Sequence, residues 1–158
     1  MILLANVKII DGKENLAEIE KLFAEYKAEL NVDVSFQPED ITANEISKIY
    51  SEPNGKIYLA VVENEPAGCL AFHKMKNETA CELKRLFVRP KFRNLSIGKI
   101  LIQKAIEDIK NLGYKEIYLD TLSTLKAACR LYEKFGFEQI PPYYYNPLEN
   151  VVYYRLKF

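Results

Sequence analysis

Apolar side chains recur along this chain with two different periods, which predict both helices and strands. Helical spacing is clearest at residues 14–30 and 97–112, and Gly113 follows the second stripe where a left-handed C-cap belongs. Short apolar or alternating runs bounded by turn residues predict strands. Two shorter helices are predicted at 39–50 and 124–135. The predicted strands are residues 6–10, 57–62, 67–75, 80–88, 115–120, 137–140 and 151–157.

These elements follow one another in the order β-α-α-β-β-β-α-β-α-β-β. The three consecutive strands between residues 57 and 88 are separated by short turns, so we expect antiparallel hairpins. The strand-helix-strand unit from 80 to 120 predicts a right-handed parallel crossover. We therefore expect an α/β fold with a mixed, mostly antiparallel sheet and helices on both faces. A chain of 158 residues fits a single domain spanning residues 1–158.

Charge is balanced, with 22 basic and 22 acidic residues. The sequence has neither the basic excess nor the basic stripe that would predict a nucleic-acid partner. One stretch is locally basic. It predicts either a patch suited to a small polyanion or a solvated loop. Its members are Arg89, Lys91, Arg93 and Lys99, with Lys84 and Arg85 just upstream.

The cysteines and the apolar runs argue against a metal site, a membrane-spanning helix and a secretion signal. Cys69, Cys81 and Cys129 have no CxxC spacing, so we expect free thiols in a reducing compartment and no metal site. The single histidine, His73, is expected to be a hairpin residue rather than a catalyst. No apolar run approaches the ~20 residues of a membrane span, and no signal peptide is recognised. The expected location is the cytoplasm.

The segment from Arg93 to Lys99 is the strongest chemical signal. It follows a strand and opens the best helix, where backbone N–H groups without helical partners and the helix dipole suit a pyrophosphate. Gly98 supplies a small residue for close approach. Ile100 follows Lys99, which excludes the nucleotide-hydrolase phosphate loop, and a single glycine excludes the dinucleotide fingerprint.

Two segments resemble the GNAT N-acetyltransferase family. The run LFVRPKFRNLSIGK at 86–99 is similar to its acetyl-CoA motif, with Arg93 at the first position and Gly98 at the last. The run ACRLYEKFGF at 128–137 resembles its second motif. Ser96 stands where the family usually has glycine, and we expect it to present its N–H and to be able to cap the helix. Leu125 stands where many members have an asparagine that touches the cofactor.

This resemblance implies a GNAT fold and assigns roles by position. Acetyl-CoA would be the co-substrate, with Glu82 as the general base and Tyr132 as the general acid for the departing thiolate. Glu82 shares a strand face with Val88, roughly 20 Å away at ~3.3 Å per residue, which suits an extended arm. Candidate acceptor residues are Phe36, Gln37, Tyr143 and Tyr144. Candidate cofactor-binding residues are Leu86, Phe87, Val88, Arg93, Asn94, Leu95, Ser96, Ile97, Gly98 and Lys99.

The leading hypothesis is transfer of an acetyl group to a primary amine of a small molecule or amino acid by direct attack. One alternative within the enzyme class is acetylation of a protein N-terminus or lysine. Two alternatives from other classes are a non-catalytic acyl-CoA sensor and a structural or interaction protein without coenzyme A affinity. A homodimer is possible, since C-terminal strands of this fold often pair between subunits. Nucleic-acid and membrane partners are not expected.

Overall fold

A computed structural model describes residues 6–31 and 40–158. The elements lie close to their predicted positions, and the boundaries differ by a few residues. A short 3-10 turn at Gly12–Asn15 precedes the first helix. The helices are α1 (Leu16–Leu30), α2 (Ala43–Ile49), α3 (Ile97–Asn111) and α4 (Lys126–Lys134). The strands are β1 (Val7–Asp11), β2 (Gly55–Val62), β3 (Glu65–Lys74), β4 (Ala80–Val88), β5 (Glu116–Leu122), β6 (Glu138–Ile140) and β7 (Val151–Lys157).

Within the described residues, seven strands form one sheet in the order β1-β2-β3-β4-β5-β7-β6. The hairpins between β2, β3 and β4 are antiparallel, and β4 pairs with β5 in parallel across α3, as predicted. The mixed, mostly antiparallel sheet is confirmed. The last two strands do not simply add to the edge, because β7 inserts between β5 and β6.

Apolar side chains of the central strands alternate between two separate cores, one on each face of the sheet. On β2, Tyr58 and Ala60 face the core covered by α3, while Ile57 and Leu59 face the core covered by α1 and α2. Near-continuous apolar runs are the sequence signature of a strand buried on both faces. Helices therefore flank both faces of the sheet, as expected.

A bulge near the middle of β4 shapes the site. The register against β3 shifts between Cys69 and Ala71, and Arg85 has a φ of 63°, in the left-handed region. β4 pairs with β5 only at residues 80–82, against 116–118. Over the rest of β4, up to residue 88, the described sheet has no pairing with β5. The two strands diverge there, and β4 offers an open backbone edge.

The start of α3 differs from the expectation for Ser96. Its φ is 61°, also left-handed, and its side chain makes no capping hydrogen bond to the helix. A capping serine needs extended backbone angles, so this conformation is incompatible with the cap. At the other end, Gly113 has a φ of 92°, which confirms the predicted left-handed residue after the helix.

Candidate active site

A groove of about 790 Å³ runs beside the divergence of β4 and β5. Its walls are the end of β4, the loop that leads into α3, and the first turns of α3 and α4. Leu95 lies outside this lining, and its side chain is exposed. Of the predicted cofactor residues, the groove is lined by Leu86, Phe87, Val88, Arg93, Asn94, Ser96, Ile97, Gly98 and Lys99.

The first turn of α3 lines the groove and contributes backbone amides without helical acceptors. The first hydrogen bond of the helix runs from the N–H of Ile100 to the carbonyl of Ser96, at 3.0 Å. The N–H groups of Ile97, Gly98 and Lys99 therefore have no acceptor in the preceding helical turn. A Cβ on Gly98 would lie 3.3 Å from Leu131 of α4, so this glycine also permits close packing of the two helices that border the groove.

The predicted positive patch beside this loop is largely neutralised by acidic residues of distant elements. Arg93 donates to Glu29 of α1 at 2.7 Å and to the carbonyl of Val88 at 3.0 Å. Arg89 and Lys91 are paired in the same way with Glu25 and Glu65. Within residues 6–31 and 40–158, Lys99 has no ion pair. Binding of an anion at this loop thus depends on the exposed amides and on Lys99.

A smaller cavity of about 40 Å³ adjoins the groove, since Tyr26 and Leu86 line both spaces. Tyr132 of α4 also lines it. Its ring is buried against Phe137 and Tyr154, with ring centroids 5.7 and 6.0 Å away. Its hydroxyl makes no hydrogen bond with any described residue. Burial raises the pKa of Tyr132 well above its ordinary value, so the hydroxyl keeps its proton.

Glu82 on β4 lies in a cluster of hydrogen-bond donors. Oε1 is 3.0 Å from Nε2 of His73, its cross-strand neighbour on β3, and Oε2 accepts from the Tyr143 hydroxyl at 2.5 Å. Burial by itself would raise the pKa of Glu82. The hydrogen bond to His73, the charge of Lys84 and the bond from Tyr143 outweigh burial and lower that pKa to about 2. Glu82 is therefore a carboxylate at neutral pH.

Lys84 connects this cluster to a second carboxylate. Its Nζ lies 3.5 Å from Oε1 of Glu82 and 3.3 Å from Oδ1 of Asp120, which is on β5. Asp120 also accepts from the hydroxyl of Tyr144 at 2.7 Å and from Nδ2 of Asn146 at 3.3 Å. The loop between β6 and β7 thereby packs over Glu82 and Asp120.

Behind this cluster, the fully buried Asp40 holds the bulge of β4. It accepts two hydrogen bonds from Arg85, at 2.7 and 3.1 Å, and is also bonded by Lys27 of α1 and Tyr50. Burial would raise the pKa of Asp40, but the bonds and charges of Arg85 and Lys27 lower it. The left-handed conformation of Arg85 is thus stabilised by a buried ion pair to another element.

Over residues 15–137, the chain matches the sequence profile of the Acetyltransferase (GNAT) family. It belongs to the GNAT family. An uncharacterized N-acetyltransferase of Schizosaccharomyces pombe is 42% identical over 154 residues, covering 96% of this chain and 94% of that protein. N-acetylaspartate synthetase of Danio rerio is 30% identical over 97 residues, 61% of this chain and 34% of that protein. The GNAT assignment makes this protein an acyltransferase.

Solved structures of GNAT acetyltransferases superpose on the whole fold. One from Staphylococcus aureus is 27% identical, has a TM-score of 0.73, and the match covers 96% of this chain and 98% of the other. A candidate streptothricin acetyltransferase from Bacillus anthracis, solved with acetyl coenzyme A, is 28% identical with a TM-score of 0.61. That match covers 71% of this chain and 67% of the other. The GNAT fold is confirmed.

The structure brings together more residues than the sequence predicted. Tyr143 and Tyr144 lie beside the Glu82 cluster, whereas Phe36 and Gln37 lie outside the described residues. His73 lies on a hairpin strand, as expected, and it also contacts Glu82 directly, which was not anticipated from the sequence. The hairpin register across the turn at 76–79 was the available signal, because it places the two residues opposite each other. Lys84 was recognised only as part of the basic stretch, and Asp40 and Asp120 gave no signal, because Arg85 and Lys84, which pair with them, are distant in sequence.

Proposed function

We propose that this acyltransferase moves an acetyl group from acetyl-CoA directly to a primary amine of a small molecule or amino acid. The observation that carries the proposal is a pair of adjoining cavities: the groove at the start of α3 and the small cavity lined by Tyr132 and Lys84 share Tyr26 and Leu86 as walls, and Glu82 lies beside Lys84. The open edge of β4 around Leu86 is suited to pair with the amides of the pantetheine arm. The exposed N–H groups of residues 97–99 are suited to the pyrophosphate.

Glu82 is the group proposed to handle the proton of the acceptor ammonium. An alkylammonium has a pKa near ~10, whereas the Glu82 carboxylate has a pKa of about 2. A carboxylate this acidic is a weak base and does not keep the proton. We therefore assign it the role of binding the ammonium and relaying the proton to water, after the acceptor displaces the Tyr143 hydroxyl.

Tyr132 is proposed to protonate the thiolate as it leaves. Its hydroxyl lines the small cavity, has no competing acceptor among the described residues, and stays protonated at neutral pH. A backbone N–H of β4 near Leu86 would polarise the thioester carbonyl. Together these groups supply the functions that amine acetylation needs, which favours the enzyme over a non-catalytic acyl-CoA sensor.

A compact acceptor is supported by the cover that Tyr143 and Tyr144 place over Glu82 and Asp120. An extended peptide would need an open channel at this end. The similarity to N-acetylaspartate synthetase, whose product is an acetylated amino acid, supports the same class. Acetylation of a protein amine remains the alternative, and it predicts that peptides outcompete free amines in an acceptor screen.

Thermal unfolding with and without acetyl-CoA tests the donor site. At ~100-fold excess over Kd, binding adds about 2.7 kcal/mol, which raises the Tm of a chain of this size by roughly 5–10 °C. A clear shift justifies an amine screen read by released thiol. An unchanged Tm at saturating acetyl-CoA would refute the donor site and leave the protein without the proposed activity.

A pair of matched variants locates the binding site on α3. Lys99→Gln removes the side-chain charge beside these amides and is expected to weaken acetyl-CoA binding a few-fold, since an exposed ion pair with the pyrophosphate contributes about 0.2–1 kcal/mol. Lys104→Gln removes an equal charge further along the same helix, where Lys104 pairs with Asp108. Equal affinities in the two variants would place the pyrophosphate elsewhere.

A further inference from the structure

We infer that the protein acetylates its own Lys84 when acetyl-CoA is bound and no acceptor amine is present. This inference rests on the proposed function, because the acetyl group must reach the small cavity. Lys84 would then be both a modification site and an internal substitute for the acceptor. Nothing in the family resemblance assigns a role to this residue.

The position of Lys84 is the first argument. Its side chain lines the same cavity of about 40 Å³ as Leu86 and Tyr132, the two residues between which the thioester is proposed to lie. The cavity adjoins the donor groove, and Tyr26 and Leu86 form walls of both. An acetyl group delivered through the groove therefore enters a space that a primary amine already borders.

The surroundings of the amine are the second argument. The Nζ of Lys84 is 3.5 Å from Glu82, the carboxylate proposed to receive the acceptor's proton, and 3.3 Å from Asp120. The ring of Tyr144 lies under it, with 6.0 Å from Nζ to the ring centroid. Two carboxylates and an aromatic face make a site for an ammonium group. In the described structure, Lys84 supplies that ammonium itself.

The chemistry balances without a further reactant. The Lys84 ammonium gives one proton to Glu82 and on to water, and the neutral amine attacks the thioester carbonyl carbon. A C–N bond forms and the C–S bond breaks. The coenzyme A thiolate takes a proton from Tyr132. The nitrogen then loses its second proton, which restores the Tyr132 hydroxyl. The products are N-acetylated Lys84, free coenzyme A thiol and one released proton.

Peptide mass spectrometry after incubation with isotopically labelled acetyl-CoA tests this inference on the full chain. Lys21 on α1 serves as the internal reference for uncatalysed acetylation, since 64% of its side chain is exposed, against 8% for Lys84. Without catalysis the exposed lysine reacts faster. We expect Lys84 to gain the label at least about tenfold faster than Lys21, because position and proton transfer both favour it.

Two variants and one parallel measurement complete the test. Tyr132→Phe is expected to remove the advantage of Lys84 and to leave the labelling of Lys21 unchanged. Lys84→Arg is expected to abolish labelling at this site while keeping the charge between Glu82 and Asp120. If acetyl-CoA raises the Tm of the parent but Lys84 gains label no faster than Lys21, the inference is overturned and the proposed function stands. If acetyl-CoA neither raises the Tm nor labels Lys84, the inference about Lys84 and the proposed function are both refuted.

Discussion

Replacing Tyr132 with phenylalanine removes one oxygen atom that the structure places in the small cavity and leaves the packed ring in position. The ring contacts with Phe137 and Tyr154 are kept, and the hydroxyl gives up no hydrogen bond to a described residue. We therefore expect the free energy of unfolding to change by less than ~0.5 kcal/mol, or ~2 °C in Tm. If Tyr132 is the general acid, kcat falls roughly 10²-fold, which corresponds to about 2.7 kcal/mol in the barrier.

Tyr154→Phe is the matched control, because it removes the same atom from the neighbouring ring. The Tyr154 hydroxyl donates to Glu133 at 3.1 Å, so its loss is expected to cost about 0.5–1.5 kcal/mol of stability and to leave kcat unchanged. The two variants thus predict opposite patterns. Tyr132→Phe affects turnover without stability, and Tyr154→Phe affects stability without turnover.

The assay measures thiol release at saturating acetyl-CoA with the best amine from the acceptor screen, and thermal unfolding of the same preparations. Because burial raises the pKa of Tyr132, the parent should show no basic limb from this group below pH ~10. A kcat of Tyr132→Phe within twofold of the parent would remove Tyr132 from catalysis. A loss of stability as large as that of Tyr154→Phe would contradict the expectation that the Tyr132 hydroxyl makes no stabilising contact, and kcat would then be compared below the unfolding transition of both variants.

Two further variants test the charge and the backbone of the site. Glu82→Gln should destabilise the protein at pH 7, and the difference from the parent should shrink by roughly 2 kcal/mol at pH 3, at ~1.4 kcal/mol per pKa unit. The reason is that a carboxylate whose pKa is lowered on folding stabilises the folded protein at pH values above its ordinary pKa of 4.5, and this stabilisation is lost as the pH falls toward 2. Equal differences at both pH values in urea unfolding would contradict this reasoning. Ser96→Gly should raise the Tm by up to ~3 °C, because relief of the left-handed φ of 61° (~1–2 kcal/mol) exceeds the entropy cost of glycine (~0.4–1 kcal/mol). A lower Tm would show that the serine is not strained.

The elements and the donor end of the site could be predicted from sequence because local patterns encode them. From apolar periodicity and turn residues, the boundaries of every strand and α-helix of the described residues were predicted to within a few residues. The run from Leu86 to Lys99 marked the loop whose amides line the groove. The bulge at Arg85 could not be predicted, since a charged residue with a φ of 63° inside a strand is held there by a buried partner, Asp40, that lies 45 residues away.

The basic stretch shows why the acceptor end was harder to predict than the donor end. In the sequence, Lys84, Arg85 and Arg93 belong to one basic stretch, which predicts either a patch suited to a small polyanion or a solvated loop. In the structure Lys84 and Arg85 are buried, and each basic side chain is paired with an acid from a different element. Such pairs leave little net positive charge, because Lys84 lies between the carboxylates of Glu82 and Asp120, and Asp40 and Glu29 neutralise the two arginines. The unpaired Lys99 stays beside the exposed amides, so the donor end keeps a positive site although the chain as a whole carries no net charge.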